Sequence, residues 1–150
     1  MTTPYDVPAK NLIDEMARKL QKEKEIFLPE ENRYVRTSAT NENPPSDKDW
    51  WYTRCASILR KVYINNQIGV ERLSSEYGGK RDRGSKPYKA MSGSGSIARR
   101  ALQQLEKAGL VTRIRGKGRS ITPKGRSFMD NTAREVMQKI VTQYPELKKY

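Results

Sequence analysis

Residues 47–65 read DKDWWYTRCASILRKVYIN. At about 100° per residue, Trp51, Tyr52, Cys55, Ala56, Ile58, Leu59, Val62 and Tyr63 share one broad arc, while Trp50, Thr53, Arg54, Ser57, Arg60 and Lys61 fill the rest. An apolar arc this wide predicts a long helix packed against neighbours on several sides. Ser46, with Asp49 three residues on, supplies a capping-box-like start, and Pro44-Pro45 keep the preceding chain out of the helix. Trp50 is the odd residue, an indole inside the polar, basic arc. It has two readings: a cover for the N-terminal segment, or an aromatic platform flanked by Arg54 and Lys61 and suited to stacking on a base or ribose.

Around that helix, 150 residues with 35% hydrophobic and 31% charged side chains imply one domain, residues 1–150, with a small core and an ionic surface. No apolar run approaches the ~20 residues of a membrane span, and MTTPYDVPAKN lacks the apolar stretch of a signal peptide, so the expected location is the cytoplasm. Cys55, the one cysteine, lies on the apolar arc and reads as a small buried hydrophobe, which leaves no intramolecular disulfide and no cysteine-based zinc cluster.

The net charge of +13 is segregated. Residues 1–50 are net −2; residues 51–126 hold 18 Lys/Arg against 4 Asp/Glu, net +14; residues 127–150 are net +1. A segregated excess repels itself and implies a polyanionic partner. Nucleic acid fits better than membrane, because no basic helix has the low-charge, Trp/Leu-rich face that interfacial insertion demands.

Working outward, a first helix is expected from about Asp6 to Lys24, with Pro8 in its first turn and Leu12, Ile13, Met16, Ala17 and Leu20 as its apolar stripe. After Pro29, a short helix is expected through Arg33 to Arg36, with Tyr34 and Val35 turned inward, then a loop through TSATNENPPSD. Beyond the central helix, GVERLSSEYGG predicts a brief helix with Val70, Leu73 and Tyr77 on one face, closed by a left-handed Gly78-Gly79. The next stretch, KRDRGSKPYKAMSGSGS, reads as a basic loop within the domain; so rich in Gly and Ser, it gains order from a bound partner. A helix over Ser94 to Ala108 follows, with Ile97, Ala101, Leu102 and Leu105 inward and Arg99, Arg100, Gln103, Gln104, Glu106 and Lys107 largely outward, ended by Gly109 with Leu110 folding back. LVTRIRG and RSIT alternate at period two around a GKG turn, a β-hairpin with Arg113, Arg115, Lys117 and Arg119 on its exposed side and tip. Thr122-Pro123 opens a last helix with Met129, Ala133, Val136, Met137, Ile140 and Val141 inward; Pro145 ends it and the final residues fray. Helix, short helix, helix, hairpin is the layout of a winged helix-turn-helix, mainly α, with a long central amphipathic helix and a small β wing.

Catalysis finds no support. There is no histidine, and the carboxylates cluster on N-terminal helix faces where solvated surface explains them. Gly79 to Lys86 approaches a Walker loop, but Ser and Lys stand in the wrong order, no strand precedes and Pro87 stops a helix from following. The GSGS before Ile97 instead lets backbone N–H groups approach a phosphate closely. No metal or cofactor is expected. Lys107, Lys124 and Arg134 are ordinary helix-surface charges, but Arg99 and Arg100 sit in the first turns of their helix, where the dipole disfavours a cation, behind Lys80, Arg81, Arg83, Lys86 and Lys89. The candidate nucleic-acid-binding set is Trp50, Arg54, Arg60, Lys61, Lys80, Arg81, Arg83, Lys86, Arg99, Arg100, Arg115, Lys117 and Arg119.

Taken in order, DWWYTRCASILRKVY, GVERLSSEYGGKRDRG, SGSIARRALQQLEKAGLV and ITPKG strongly resemble the S19e family of small-subunit ribosomal proteins of archaea and eukaryotes. The resemblance covers most of the chain. It implies an all-helical variant of the winged helix around the long central helix, a place on ribosomal RNA in the head of the small subunit, and a role in subunit assembly and maturation. It further implies that Trp50, Arg54, Arg60, Arg99 and Arg100 fall on the family's basic surface. Without a long C-terminal extension the chain resembles an archaeal member; TSATNEN departs from the family, which often has a histidine there.

The leading expectation is a structural, non-enzymatic ribosomal protein that neutralises RNA phosphates, recognises RNA shape, contacts neighbouring small-subunit proteins and is monomeric outside the ribosome. The rival is a winged-helix DNA-binding transcriptional regulator, which would need a dimerisation element, and no heptad seam supplies one. A protein-interaction module using the acidic N-terminal helix leaves the +14 segment unexplained.

Overall fold

In the computed structural model, which describes residues 1–149, the chain runs α1 (Ala9–Leu20), a 3-10 turn (Glu30–Asn32), α2 (Trp50–Asn65), β1 (Gln67–Ile68) and α3 (Val70–Glu76). It continues through β2 (Gly79–Arg83), β3 (Lys86–Met91), α4 (Gly95–Lys107), β4 (Val111–Ile114), β5 (Gly118–Ile121), α5 (Pro123–Gln143) and a closing 3-10 turn (Pro145–Lys149). The fold is helix-rich with two small antiparallel sheets, one of order β1-β5-β4 and one of β2 with β3. The β4–β5 hairpin is the expected wing, while β1 and the β2–β3 pair depart from the all-helical variant that the family resemblance implies. Fraying was expected at the very end, and Tyr150 lies outside the described residues.

Helix α2 is the hub: it packs on α1, α4, β1 and β5. Its apolar arc is the core, with Trp51, Cys55, Ala56, Ile58, Leu59 and Val62 fully buried and Tyr52 and Tyr63 packed at the edge. Burial pushes the Cys55 thiol up, out of the range in which a thiolate forms. The helix begins at Trp50, later than the sequence suggests, and no side chain caps it; the Asp49 N–H instead donates to Asp47 Oδ1 at 3.2 Å. The Ser46–Asp49 capping box does not form.

Helix α1 buries Leu12, Met16, Ala17 and Leu20 against α2, beginning just after Pro8. Lys19 Nζ to Glu135 (2.8 Å) and Lys139 Nζ to Glu15 (2.9 Å) tie it to α5. The expected helix through Arg36 is absent: only Glu30–Asn32 winds, and Tyr34 (80% exposed) and Val35 point outward. They line an open concavity with Ser38 and Ser92 instead of entering the core. Gln104, expected outward, is 7% exposed. Its Oε1 accepts from Trp51 Nε1 (2.9 Å) and Phe27 N (3.3 Å), and its Nε2 donates to Phe27 O (2.8 Å). One amide thereby satisfies the buried indole and pins the chain leaving α1.

Ser94 Oγ caps α4 by accepting from Ile97 N, and the helix ends with Leu110 N donating to Leu105 O and Gly109 N to Glu106 O, both 3.0 Å, a Schellman closure. Thr122 caps α5 through Gly125 N. The most consequential correction lies between α3 and α4. The basic loop is a two-stranded ribbon, β2 against β3, turning at Gly84-Ser85 with a bulge between Arg81 and Arg83. Neither Gly78 nor Gly79 is left-handed; Gly78 is there because a Cβ would stand 2.3 Å from Met91 O. No described helix is long and apolar enough to cross a membrane.

Candidate nucleic-acid interface

The candidate cations fall into three groups. The first is the ribbon. Every residue of β2 and Lys86 to Ala90 of β3 is exposed, so the ribbon buries almost nothing of its own. Its register sets Arg81 opposite Lys89 and Arg83 opposite Lys86. Like charges directly opposite destabilise a strand pair. Asp82, the single acid there, receives the Gly84 N–H, and the Arg83 Nε–H donates to Pro87 O at 2.8 Å. Lys80, Arg81, Lys86 and Lys89 therefore project into solvent with no acidic partner among the described residues. Tyr88 stands among them, 67% exposed.

A second group surrounds the other hairpin. Arg99, Gln103, Arg113 and Arg119 line a concavity of ≈ 350 Å³ with Gly69, Gly116 and Gly118, so α4 presents Arg99 toward β4 and β5. Arg115 and Lys117 are exposed at the turn. Arg119 is not on the open side: its side chain is 13% exposed and its Nε–H meets Glu106 at 3.2 Å. Arg100 is similarly engaged, donating to Asn32 Oδ1 at 2.9 Å and pairing with Glu31. Both side chains fix the scaffold, α4 to the N-terminal segment and to β5. At the start of α4, Ser94 caps Ile97, and Gly93 packs on Tyr77 with no room for a Cβ.

The third group lies on α2. Lys61 Nζ is bound to Glu76 at 2.6 Å. Arg60 is half-buried, and its buried Nε finds no hydrogen-bond partner among the described residues. The Arg54 guanidinium stacks on Tyr77 at 4.0 Å, and Tyr77 Oη shares a 2.6 Å hydrogen bond with Ser57. Burial lowers the pKa of Arg54 and raises that of Tyr77, leaving both in the charge states of neutral pH. Trp50 meets Trp51 edge-on, centroids 5.5 Å apart, and its other side lines an open cleft.

Of the sequence-based set, Lys80, Arg81, Arg83, Lys86, Arg99, Arg115 and Lys117 are exposed cations. Tyr88 is absent from the sequence-based set, although KPYKAM carries the interleaving of cation and aromatic that marks nucleic-acid contact. The internal partners of Lys61, Arg100 and Arg119 carry no local signal. Among the described residues no group of His, Cys, Asp or Glu could hold a metal.

Comparison with known proteins agrees along the chain. The family model of ribosomal protein S19e matches residues 3–139. The small ribosomal subunit protein eS19 of Aeropyrum pernix is 46% identical, covering 100% of this chain and 99% of its own. That of Thermoplasma volcanium is 46% identical over 96% and 95%, and eS19A of Saccharomyces cerevisiae 40% identical over 89% and 93%. A match through nearly the whole length, by the family model and by relatives at 46% identity, leaves one conclusion: the chain belongs to the ribosomal protein S19e family.

Proposed function

We propose that the chain is a structural constituent of the small ribosomal subunit that binds ribosomal RNA in the subunit head, beside other small-subunit proteins, and supports assembly and maturation of the subunit. It is not an enzyme. It works on cytoplasmic ribosomes, and the Aeropyrum and Thermoplasma relatives make it an archaeal-type member. The whole chain acts as one winged-helix-like RNA-binding domain. Support for that reading comes from the order α2, β1, α3, α4, β4, β5, with the β2–β3 ribbon inserted where the turn between the two short-range helices would stand.

The observation that carries the binding role is the ribbon, a family member's exposed strand pair with like charges set opposite each other. Such a pair relieves its repulsion by taking phosphates, releasing counterions from RNA. Lys80, Arg81, Arg83, Lys86 and Lys89 make one contact surface, Arg99 with Arg115 and Lys117 a second, and Trp50, Arg54 and Arg60 a third. Lys61, Arg100 and Arg119 add to the field while their ion pairs hold the scaffold. Outside the ribosome the chain is monomeric.

Sucrose-gradient fractionation of cell extract in low and moderate salt tests this reading. The expected result is co-migration with small subunits in both conditions. Migration in the light fractions throughout would overturn it.

A further inference from the structure

The cleft beside Trp50 does work that charge neutralisation alone does not require. It opens between α2, the 37–47 segment and Tyr77, with a volume of ≈ 450 Å³, and Asn43, Asp47, Trp50, Arg54 and Tyr77 are among its walls. That volume is in the range of small-molecule sites, about 300–1,000 Å³. Trp50 is held there by the core: it leans edge-on against Trp51, which is 0% exposed and fixed by its bond to Gln104. The indole is thus oriented before any ligand arrives. Arg54 is likewise held, flat on the Tyr77 ring, and among the described residues it has neither a carboxylate nor another hydrogen-bond acceptor as partner. Asn43 and Asp47, both exposed at the rim, offer an amide donor and a carboxylate acceptor. A fixed aromatic plate, a half-buried cation with open donors and a mixed polar rim suit a flat heterocycle carrying a phosphate. An aliphatic or acidic protein side chain would use only part of that set.

We propose that this cleft receives a single unpaired RNA base, stacked on Trp50, with its phosphate on Arg54 and its edge read by Asn43 and Asp47. This rests on the RNA-binding reading above and adds to it. Bases inside an A-form helix are stacked and lie in a deep, narrow groove, so only one that leaves the stack can enter. Aromatic stacking of one base changes affinity roughly tenfold to a hundredfold.

Two RNA stem-loops, identical except for one bulged adenosine in the stem, test the proposal with the full chain. Affinity is read by anisotropy across a salt series, and Trp50 stacking by quenching of tryptophan emission, since Trp51 is sealed from solvent. The expected result is roughly tenfold tighter binding of the bulged RNA, with quenching. Trp50→Leu then erases the difference between the two RNAs and the quenching. Paired replacement of Asn43→Ala and Asp47→Ala, which touches no core residue, reduces the same difference. Equal affinity for the two RNAs, unaltered by Trp50→Leu, would overturn the base receptor and leave the phosphate-binding reading standing. Failure of both RNAs to bind at low salt would remove both.

Discussion

The α2 helix and the β2–β3 ribbon stand at opposite ends of a scale. Along α2, six side chains from Trp51 to Val62 are fully enclosed, and each contributes about 1.5–3 kcal/mol if Leu- or Ile-sized. Along the ribbon, every residue from Gly79 to Ala90 is exposed, and facing cations oppose its pairing. An isolated two-stranded ribbon is marginal in water. The helix exists because of what it buries, and the ribbon forms while burying almost nothing.

That contrast can be broken at several points. Leu59→Ala in the centre of α2 leaves a cavity the neighbouring helices cannot fill and should cost about 2–5 kcal/mol of unfolding free energy in urea. A loss below about 1 kcal/mol would mean the hub is elsewhere. Gln104→Leu keeps the volume but strands the Trp51 N–H and the Phe27 backbone, for an expected loss of about 1–3 kcal/mol. Arg81→Ala with Lys89→Ala should go the other way. Removing a facing like-charge pair leaves stability unchanged or raises it by about 0.2–1 kcal/mol. The same variant should lower the salt slope of RNA binding by roughly one unit for each phosphate the ribbon no longer neutralises. A destabilised protein with an unaltered slope would make the ribbon a folding element. The smallest effect belongs to Glu15. The Lys139 ammonium bonded to it holds its carboxyl below the usual range. Stability from that pairing is complete above the ordinary glutamate pKa and fades as pH falls through the lowered one. Glu15→Gln should slightly flatten the acid limb of a stability profile; an unchanged limb would show the ion pair between α1 and α5 to be idle.

How far these regions could be read from the chain differs for the same physical reason. Trp51, Cys55, Ile58, Leu59 and Val62 announced α2 because burial imposes a period on apolar residues. The ribbon is solvated on both faces, so nothing forces its residues to alternate, and GKRDRGSKPYKAM reads as a loop. Tyr34 and Val35 failed in the opposite sense: apolar character alone placed them inside, and without the expected helix neither side chain is carried to the core. Charge segregation located the basic surface correctly in outline. Which cations remain open could not be read, because Glu31, Glu76 and Glu106 reach Arg100, Lys61 and Arg119 only once the helices are assembled. Trp50 meets Trp51 edge-on and lines the cleft, a placement that comes from the assembled fold and not from its position in the helical period.

At the root of the ribbon the two strands leave and re-enter the body side by side. A Cβ on Gly78 would stand 2.3 Å from Met91 O, and one on Gly93 would stand 2.9 Å from Tyr77 O. Six residues of β3 extend the tip roughly 17–20 Å beyond that junction. A change in length or charge along the exposed strands meets no buried side chain, whereas an added Cβ at the junction meets backbone. The reach of the arm is adjustable, and its mounting is not.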